Sequence, residues 1–282
     1  MIGQPLAGFD RLNRAVVRGR RAPHKPLLVL VMLGYLSRGR DRVAYDEVEP
    51  VLRRLLARYN AQRSAQTPFN PWLRLPADGV FEVAGWSPDR GYSDVAARGT
   101  VGGFVPGVRA ALSMDPLAVP ALAASMLAEN FASSLHADIL TTCGLANTVP
   151  AGLLGTGGRP RDHGFPDRVF DAWGRACVVC GWDAGDGTDE GIGVQAAHVQ
   201  WHCFDGPDTA DNGLPLCALH HVCFDRGLWG ISEDWTIRVA SSVEGGPEVL
   251  RGLIDRHSHP LRGEGTLASH HVEWHTTQVL AV

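Results

Sequence analysis

The chain has 282 residues, of which 45% are hydrophobic and 20% are charged. This composition is typical of a globular protein with enough chain for two domains, and it excludes a disordered or fibrous protein. No apolar run approaches the roughly 18 residues of a membrane span, and the first residues lack the layout of a signal peptide, so we expect no membrane association and a cytoplasmic location.

The net charge of −4 hides an asymmetry along the chain. Residues 1–75 hold 14 Lys or Arg and 5 Asp or Glu, a net of +9, whereas residues 76–282 hold 12 and 25, a net of −13, and the two sum to −4. All but one of the 14 basic residues are arginine, which suits bidentate phosphate contacts. Arginine-rich codon usage would explain the scarcity of lysine but not the clustering. The pattern therefore predicts a polyanion-binding surface near the N-terminus.

The N-terminal part has a mainly helical pattern. A nearly all-apolar run over 27–36, entered through Pro26, predicts a buried helix. Apolar residues at helical spacing predict a second helix over 47–59, which Asp46 can cap. A further helical stretch is predicted over 116–140.

A hairpin is predicted after the second helix. The segments 73–75 and 80–83 flank the turn sequence Pro-Ala-Asp-Gly, with Asp78 and Gly79 at the turn. Helix, short strand, helix and hairpin is the order of a winged-helix-like module. The fold class predicted for the whole chain is therefore α+β in two domains, the first winged-helix-like and mainly helical.

The composition changes over residues 146–164, which are rich in Gly and Pro and have no apolar periodicity. Such a stretch is typical of a domain boundary. We therefore predict a first domain over 1–145, a linker over 146–164 and a second domain over 165–282.

Four of the six cysteines fall within about fifty residues of one another in the second domain. In a secreted protein an even number would indicate disulfides, but without an export signal the cysteines indicate a metal site. Cys177 and Cys180 form one Cys-x-x-Cys pair, and Cys217 and His220 have the same spacing. These four residues predict a structural zinc site, with Cys223 as an alternative to His220. No role is predicted for Cys143, Cys203 and Cys223.

His198, Asn212 and His221 lie between and beside these metal-binding pairs. Residues 196–199 begin as a strand, 211–216 read as a loop, and 220–227 as a helix. With the string NGLPLCALHHVCFDRGL, this order resembles the HNH nucleases of the ββα-metal type over about residues 166–240. The resemblance implies a zinc-containing nuclease domain that hydrolyses DNA with a divalent metal.

The resemblance also implies a role for each position. His198 would be the general base, since an imidazole can take a proton near neutral pH. Asn212 would pin the loop that orients it, and His221 would bind a catalytic Mg²⁺ or Mn²⁺ ion. Asp225, one helical turn on, is a candidate second metal ligand, and Arg226 a candidate phosphate contact. The alternative for these last two is an ordinary ion pair.

The position before the base departs from the HNH pattern. Many HNH enzymes have a metal-binding Asp or His there, whereas this chain has Ala197. The ion would then be held by fewer protein ligands, or Asp225 would compensate. Weak metal affinity or a preference for Mn²⁺ is the expected consequence.

A second resemblance covers most of residues 8–145. The segments 22–30 and 68–75, the following Asp78-Gly79 and the string FASSLHADIL near residue 131 are similar to the sulfur-binding domain of McrA-like type IV restriction endonucleases. That family recognises DNA in which a non-bridging phosphate oxygen is replaced by sulfur.

This resemblance implies a shallow apolar cup around Pro71, with Asn70 and Trp72 beside it, that favours polarizable sulfur over hydrated oxygen. The family commonly has Tyr where this chain has Asn70. His24 and Lys25 would donate to the modified phosphate or to base edges. Further DNA contacts are expected from Arg18, Arg20, Arg21 and Arg74. An ordinary hydrophobic turn and a solvated charged face are the alternatives.

Together the two resemblances predict a type IV restriction endonuclease that binds phosphorothioated duplex DNA and cuts it near the modification. Because one HNH site cuts one strand, a homodimer is expected. The segment 270–275 (HHVEWH) would pack that dimer or close the nuclease domain. The alternatives are a nuclease that depends on methylated cytosine, one that selects by sequence, and a DNA sensor that does not cut.

Overall fold

A computed structural model describes residues 6–14, 16–17, 20–59, 67–154, 160, 162–183, 193–241, 243 and 248–280. The chain divides into two compact units, Met1–Gly158 and Arg159–Val282, which we call the N-terminal and C-terminal units. In the described ranges no single helix has the length and apolarity to cross a membrane, and only the bent pair Pro106–Met114 and Ala118–Asn130 meets both criteria together.

The N-terminal unit is mainly helical, with a three-stranded antiparallel sheet and a separate pair of two-residue strands. Its helices are α1 (His24–Leu36), α2 (Tyr45–Tyr59), α3 (Phe69–Arg74), α4 (Asp94–Ala97), α5 (Pro106–Met114), α6 (Ala118–Asn130) and α7 (His136–Cys143). Its strands are β1 (Val16–Val17), β2 (Arg20–Arg21), β3 (Val43–Ala44), β4 (Phe81–Ala84) and β5 (Val101–Phe104).

Helix α1 is the centre of this unit. Every residue from Pro26 to Gly34 is buried, and the helix contacts α2, α3, α6 and α7. A helix that is apolar all round is stable only when it is covered on all sides. Gly34 permits the close approach of α7, because a Cβ there would lie 1.9 Å from the carbonyl oxygen of Cys143. The predicted buried helix is confirmed.

The three-stranded sheet has the order β3-β5-β4. In chain order, α1, β3, α2, α3, β4 and β5 form a winged-helix arrangement, as the sequence predicts. Strands β4 and β5 pair in register from Phe81 opposite Phe104 to Ala84 opposite Val101. The connection between them, residues 85–100, is the wing.

The predicted hairpin, however, has the wrong first strand. Leu73 lies in α3, and the residues up to Gly79 form a 3-10 turn that ends with Gly79 in the left-handed region at φ 75°. The true partner of β4 is β5, whose sequence is Val-Gly-Gly-Phe. A Cβ on Gly102 would lie 2.8 Å from the ring of Trp72 and 2.7 Å from that of Phe81. Packing of these rings therefore requires glycine at this position of β5. A strand that contains glycine lacks the β-branched and aromatic residues by which a strand is predicted from sequence.

Two helix boundaries also differ from prediction. Helix α2 begins at Tyr45, so Asp46 lies inside the helix, where its carboxylate accepts hydrogen bonds from Arg98 (2.8 Å) and the Gly99 N–H (3.2 Å). The helical stretch predicted over 116–140 is two helices, α6 and α7, because the chain leaves helical geometry at Phe131.

The C-terminal unit contains a ββα element followed by a second hairpin and two helices. Its elements are α8 (Phe165–Trp173), β6 (Val194–His198), β7 (Gly213–Cys217), α9 (Ala218–Asp225), β8 (Trp229–Ile231), β9 (Ile237–Val239), α10 (Glu248–Ile254) and α11 (Ser269–Gln278). Strands β6 and β7 are antiparallel, with His198 opposite Gly213. Apolar residues of α8, of both hairpins and of α11 form one core.

Part of the segment predicted as the loop 211–216 is strand β7. Pro215 lies in this strand opposite Ala196, where its missing N–H leaves only a carbonyl to bond. That carbonyl accepts a hydrogen bond from the Val178 N–H at 3.1 Å. The Gly and Pro residues that indicated a loop therefore belong to a short strand that also holds the segment around Val178.

Residues 146–154, which begin the predicted linker, lie in the N-terminal unit. They include a buried side chain, Val149, and a 3-10 turn over Ala151–Leu153.

Candidate metal centre and active site

Three cysteines and a histidine of the C-terminal unit converge at the junction of β7 and α9. The ligand atoms of Cys177, Cys180, Cys217 and His220 all lie within 4.8 Å of one another. The Cys180 and Cys217 sulfurs are 4.0 Å apart, and the His220 Nδ1 is 3.5 Å from the Cys177 sulfur and 3.1 Å from that of Cys217. A tetrahedral zinc ion requires about 3.8 Å between sulfurs and about 3.5 Å between sulfur and nitrogen. The four residues therefore fit zinc.

The backbone around these residues explains why they meet. Gly181 adopts φ 74° and donates to the Cys177 carbonyl at 2.8 Å, which closes the turn between the first two cysteines. Cys217 is the last residue of β7, and His220 lies in the first turn of α9. The Trp229 indole donates a hydrogen bond to the backbone carbonyl of His220 at 3.0 Å. Cys223 is buried in the core and is not in the cluster, so the geometry favours His220 as the fourth ligand.

One thiol of this centre, Cys177, favours the thiolate, whereas burial raises the pKa of Cys180 and the hydrogen bond to Cys177 raises that of Cys217. A hydrogen bond from Cys217 lowers the pKa of Cys177 to about 3, against the opposing effect of burial. A thiolate is the form of cysteine that binds zinc. Outside the centre, burial raises the pKa of the Cys143 thiol to about 12 and also raises that of Cys223, as expected of inert core thiols. All six cysteines are free of disulfides.

His198 is the last residue of β6, and its imidazole is held on two sides. The Phe165 ring of α8 stacks on it, with centroids 3.9 Å apart and planes at 14°. Its Nε2 lies 2.7 Å from Oδ1 of Asp208. The ring of His202 is a further neighbour, with its centroid at 5.6 Å. Asp208 is not among the residues predicted from the sequence, because it lies in the loop between β6 and β7, where no periodicity or spacing marks it.

Asp208 is itself fixed in place. Its Oδ2 accepts from the Asp162 N–H at 2.9 Å, and its carbonyl oxygen accepts from Arg168 at 2.9 and 3.2 Å. Burial acts to raise the pKa of Asp208, but the hydrogen bonds from Asp162 and His198 outweigh it and hold that pKa below its ordinary value. The carboxyl group is therefore ionised at neutral pH.

Asn212 is fully buried and fastens the same loop. Its Oδ1 accepts from the Gln200 N–H at 2.8 Å, and its Nδ2 donates to the carbonyl oxygens of Gln200 at 3.1 Å and Pro207 at 2.9 Å. Its own carbonyl accepts from the Val199 N–H at 2.9 Å. These bonds support the predicted role of Asn212 in holding the loop that follows His198.

His221 lies on α9 and is held by two neighbours. Its Nδ1 is 2.7 Å from Gln195 Oε1 on β6, and its Nε2 is 3.2 Å from Asp225 Oδ2. Asp225 has a side chain only 1% exposed, and its Oδ1 accepts from the Trp201 indole at 2.8 Å. Arg226 is half-buried at the end of the helix.

These residues do not form a second complete metal cage. In the part of the chain that the structure describes, the Cys3His centre is the only group of three or more His, Cys, Asp or Glu residues with ligand atoms so close together. Ala197 is buried and offers no ligand, so His221 and Asp225 are the two neighbouring candidate ligands at the predicted catalytic position. Both side chains are hydrogen-bonded to neighbours, and two protein ligands would leave most positions around a bound ion to water.

The C-terminal helix α11 closes the C-terminal unit. His271 Nδ1 lies 2.8 Å from Oε1 of Gln200, and the Trp274 ring contacts the rings of Trp201 (5.9 Å) and Phe204 (5.6 Å). Of the two roles predicted for the segment HHVEWH, these contacts support closure of the domain. Helix α11 thus braces the loop that Asn212 holds from the other side.

In the N-terminal unit, the structure changes the reading of the predicted sulfur cup. Trp72 is completely buried, donates to Thr100 Oγ1 at 2.9 Å and packs against Tyr45 and Phe81. Its ring is therefore a core element that supports α3 from inside and is not a wall of an exposed cup. Pro71 is buried as well.

The solvent-facing side of α3 carries Asn70 and Arg74, one helical turn apart. The Arg74 guanidinium lies 4.4 Å from the centroid of the Tyr92 ring in the wing, and Tyr92 contacts the Trp86 ring at 5.3 Å. Tyr92 is 41% exposed. Neither wing aromatic is among the residues predicted from the sequence, because the true partner of β4 is β5 and the predicted hairpin does not include the wing.

The remaining predicted DNA contacts are distributed as follows. Lys25 forms an ion pair with Asp78 in which both side chains are mostly buried, and His24 is the half-buried first residue of α1. Arg20 and Arg21 form β2, which pairs with β1. Arg18 lies outside the described residues.

Two family models match the chain. Residues 5–148 match the ScoMcrA-like DNA sulfur-binding domain, and residues 177–232 match the HNH endonuclease family. No curated protein matches.

Several solved structures are similar. The sulfur-binding domain of SprMcrA, complexed with phosphorothioated DNA, is 20% identical over 51% of this chain and 93% of its own, with a TM-score of 0.43. The corresponding domain of ScoMcrA, also with phosphorothioated DNA, is 18% identical over 51% and 97%, with a TM-score of 0.44. The type IV phosphorothioation-dependent restriction endonuclease ScoMcrA is 18% identical over 62% of this chain but only 36% of its own length, with a TM-score of 0.44.

Proposed function

The chain belongs to the family of the ScoMcrA-like DNA sulfur-binding domain, and from this we propose that it is a type IV restriction endonuclease that binds phosphorothioated duplex DNA and cuts it. The observation that carries the proposal is the presence of the HNH endonuclease domain in the same chain as this DNA-reading domain. A DNA-binding domain and a nuclease domain on one chain act together, because binding raises the effective concentration of the nuclease at nearby phosphodiester bonds.

The reaction is hydrolysis of a phosphodiester bond. The oxygen of a water molecule bonds to phosphorus, the bond from phosphorus to one sugar oxygen breaks, and the leaving oxygen takes a proton from solvent. We assign to His198 the removal of the water proton, since it ends β6 with its imidazole only partly exposed and firmly held. Asn212 keeps the loop after His198 in place. Arg226 is our candidate for holding the scissile phosphate.

The metals have separate roles in this proposal. Zinc at Cys177, Cys180, Cys217 and His220 stabilises the junction of β7 and α9. A catalytic Mg²⁺ or Mn²⁺ ion near His221 and Asp225 would neutralise negative charge on the phosphate and on the leaving oxygen. Because Ala197 adds no ligand, we expect weak affinity for this ion.

For the DNA reader, we propose that the exposed side of α3 and the wing face the duplex. Asn70 and Arg74 would contact the modified phosphate and its neighbours, and Tyr92 orients the Arg74 guanidinium. Because Pro71 is buried, its ring would contribute little to the surface that sulfur meets. Lys25 and His24 lie at the start of α1. The Lys25 ammonium has three N–H donors, so its ion pair with Asp78 leaves donors for a phosphate.

We further propose that the enzyme works as a homodimer in the cytoplasm. Each chain carries one HNH domain, so two chains are needed to cut both strands in one encounter. Static and dynamic light scattering of the protein with and without a phosphorothioated duplex measures this assembly.

The test is a cleavage assay on matched plasmids that are phosphorothioated, methylated at cytosine or unmodified, each with Mg²⁺ and with Mn²⁺. We expect cutting of the phosphorothioated plasmid alone. His198→Ala should bind the phosphorothioated duplex with unchanged affinity and cut at least 100-fold more slowly, about the factor contributed by a general base. His221→Ala should also bind without cutting.

Each alternative has its own result in this assay. Equal cutting of unmodified plasmid would exclude recognition of sulfur, and cutting of the methylated plasmid alone would indicate a methylcytosine-dependent enzyme. Binding of the phosphorothioated plasmid without cutting, under either metal, would indicate a sensor. Full cleavage by His221→Ala would show that the metal assignment is wrong.

A further inference from the structure

The general base of the proposed reaction has a carboxylate partner. Asp208 Oδ1 lies 2.7 Å from Nε2 of His198, and both side chains are largely buried, at 13% and 12% exposed. The Phe165 ring stacked at 3.9 Å fixes the plane of the imidazole, while the carboxylate fixes its rotation within that plane. No pattern in the sequence marks this pair, and no function considered above uses the carboxylate.

Asp208 is not a flexible side chain that happens to lie near His198. Its second oxygen is held by the Asp162 N–H at 2.9 Å, and Arg168 holds its backbone carbonyl at 2.9 and 3.2 Å. Each carboxylate oxygen therefore has one hydrogen-bond donor, the Asp162 N–H on Oδ2 and the His198 imidazole on Oδ1, and His202 Nε2 lies 3.7 Å from Oδ2. A group fixed in this way is placed to position its neighbour.

The charge of Asp208 decides which imidazole nitrogen carries the proton. An ionised carboxylate only accepts hydrogen bonds, so Nε2 of His198 must be the N–H donor. In the neutral imidazole the lone pair then lies on Nδ1. After His198 has taken the water proton, the resulting imidazolium lies beside a negative charge in a largely buried site, where the charge interaction is strong.

We propose that Asp208 is the positioning residue of the nuclease site, which holds His198 in one orientation and one tautomer and stabilises its protonated form. This inference rests on the proposed nuclease function. Asp208 stays ionised throughout and neither gains nor loses a proton. The proton passes from water to His198 and then to solvent.

The main test compares Asp208→Asn with the wild-type chain in single-turnover cleavage of a phosphorothioated duplex. An amide has one acceptor oxygen for two donors, the Asp162 N–H and the His198 Nε2–H, so one of the two bonds must be lost. We expect the cleavage rate to fall about 100- to 10,000-fold, as for loss of the carboxylate in a Ser-His-Asp site, with unchanged affinity for the duplex. Asp208→Glu should recover part of the rate.

A matched control separates positioning from simple loosening of the loop. Arg168→Met removes the bonds to the Asp208 carbonyl oxygen and the ion pair with Asp162, and it leaves the Asp208 carboxylate itself unchanged. We expect Arg168→Met to lower the melting temperature at least as much as Asp208→Asn and to lower the cleavage rate much less. If the two variants lose cleavage equally, Asp208 is only a structural residue and the proposal is wrong.

A second measurement does not need cleavage. The ¹⁵N shifts of His198, assigned by comparison with His198→Ala, report its tautomer in the full chain. We expect Nε2–H in the wild type above neutral pH and a mixture of tautomers in Asp208→Ala. An unchanged tautomer in Asp208→Ala contradicts the inference. If the wild type cuts no DNA, the proposed nuclease function fails, while the tautomer still tests the pairing.

Discussion

The Asn212 side chain uses both of its polar atoms on the backbone of the loop that follows His198. Its oxygen faces an N–H, and its nitrogen faces two carbonyl oxygens, of Gln200 and Pro207. This arrangement distinguishes the amide from a carboxylate of the same size, because a carboxylate would face the two carbonyl oxygens with no donor.

We therefore expect Asn212→Asp to lower the free energy of unfolding of the C-terminal unit by about 1–3 kcal/mol, the cost of a buried polar group left without its hydrogen bond. Cleavage should be lost as well, because the loop is then no longer fixed. Urea denaturation and the plasmid assay measure the two effects. Asn147→Asp, which adds the same charge at an exposed position, should change neither. Equal stability of Asn212→Asp and the wild type would contradict this view.

At the scale of elements, the Cys3His cluster joins β7 to α9 and both to the turn at Gly181. Residues that sequence analysis assigns to catalysis lie directly beside this junction, since His221 follows His220. Without the metal, three thiols and an imidazole would be held together only by hydrogen bonds among themselves and to the neighbouring backbone. Loss of zinc should therefore disorder the active site along with the centre.

We expect one zinc ion per chain by atomic emission spectroscopy, and none after Cys180→Ser. Structural zinc contributes an apparent binding free energy of about 10–16 kcal/mol in zinc-finger peptides, so the C-terminal unit should lose its cooperative thermal transition in this variant. The transition of the N-terminal unit should stay. Cys203→Ser, a half-buried cysteine outside the cluster, is the control and should keep both zinc and transition. A cooperative, zinc-free Cys180→Ser protein would refute the structural role.

Local patterns account for what the sequence predicts well. The apolar run of α1, the order of the winged helix and the paired Cys-x-x-Cys and Cys-x-x-His spacings all depend on residues close together in the chain. Strand β5 was missed because two glycines, one of them under the Trp72 and Phe81 rings, replace the usual strand residues.

The contact of Asp208 with His198 was missed for a different reason. It depends on the path of the loop between β6 and β7, which Asn212, Arg168 and α11 fix from three sides. Such a path is set by tertiary packing, and neither periodicity nor spacing records it. The same holds for Trp72, where burial by the folded unit decides between a DNA contact and a core residue.

At the scale of the molecule, charge is divided between the two units. Residues 1–158 hold 17 Lys or Arg and 12 Asp or Glu, a net of +5, and residues 159–282 hold 9 and 18, a net of −9, which sum to −4. Part of the positive charge is used inside the N-terminal unit, for example in the Arg40–Glu47 and Arg109–Asp41 pairs. The units therefore differ in their attraction for DNA, and the N-terminal unit should dominate binding.

This division predicts how salt affects binding. For His198→Ala, which should bind without cutting, the affinity for phosphorothioated duplex should fall linearly with salt on a double-logarithmic scale. Adding Arg74→Ala should reduce the slope by about one, the contribution of one phosphate contact. Adding Arg256→Ala, which removes an arginine of the C-terminal unit, should leave the slope unchanged. Fluorescence anisotropy at several salt concentrations measures both, and equal slopes for the two variants would contradict the assignment.

Helix α11 completes the active-site loop through His271 and Trp274, although it follows every other element of the C-terminal unit. During synthesis the N-terminal unit therefore leaves the ribosome long before the nuclease site can be finished. A chain released before Ser269 would still contain the DNA reader but would lack the brace behind Gln200 and Trp201. A chain that ends before Ser269 should accordingly bind DNA as the full chain does and cut it far more slowly.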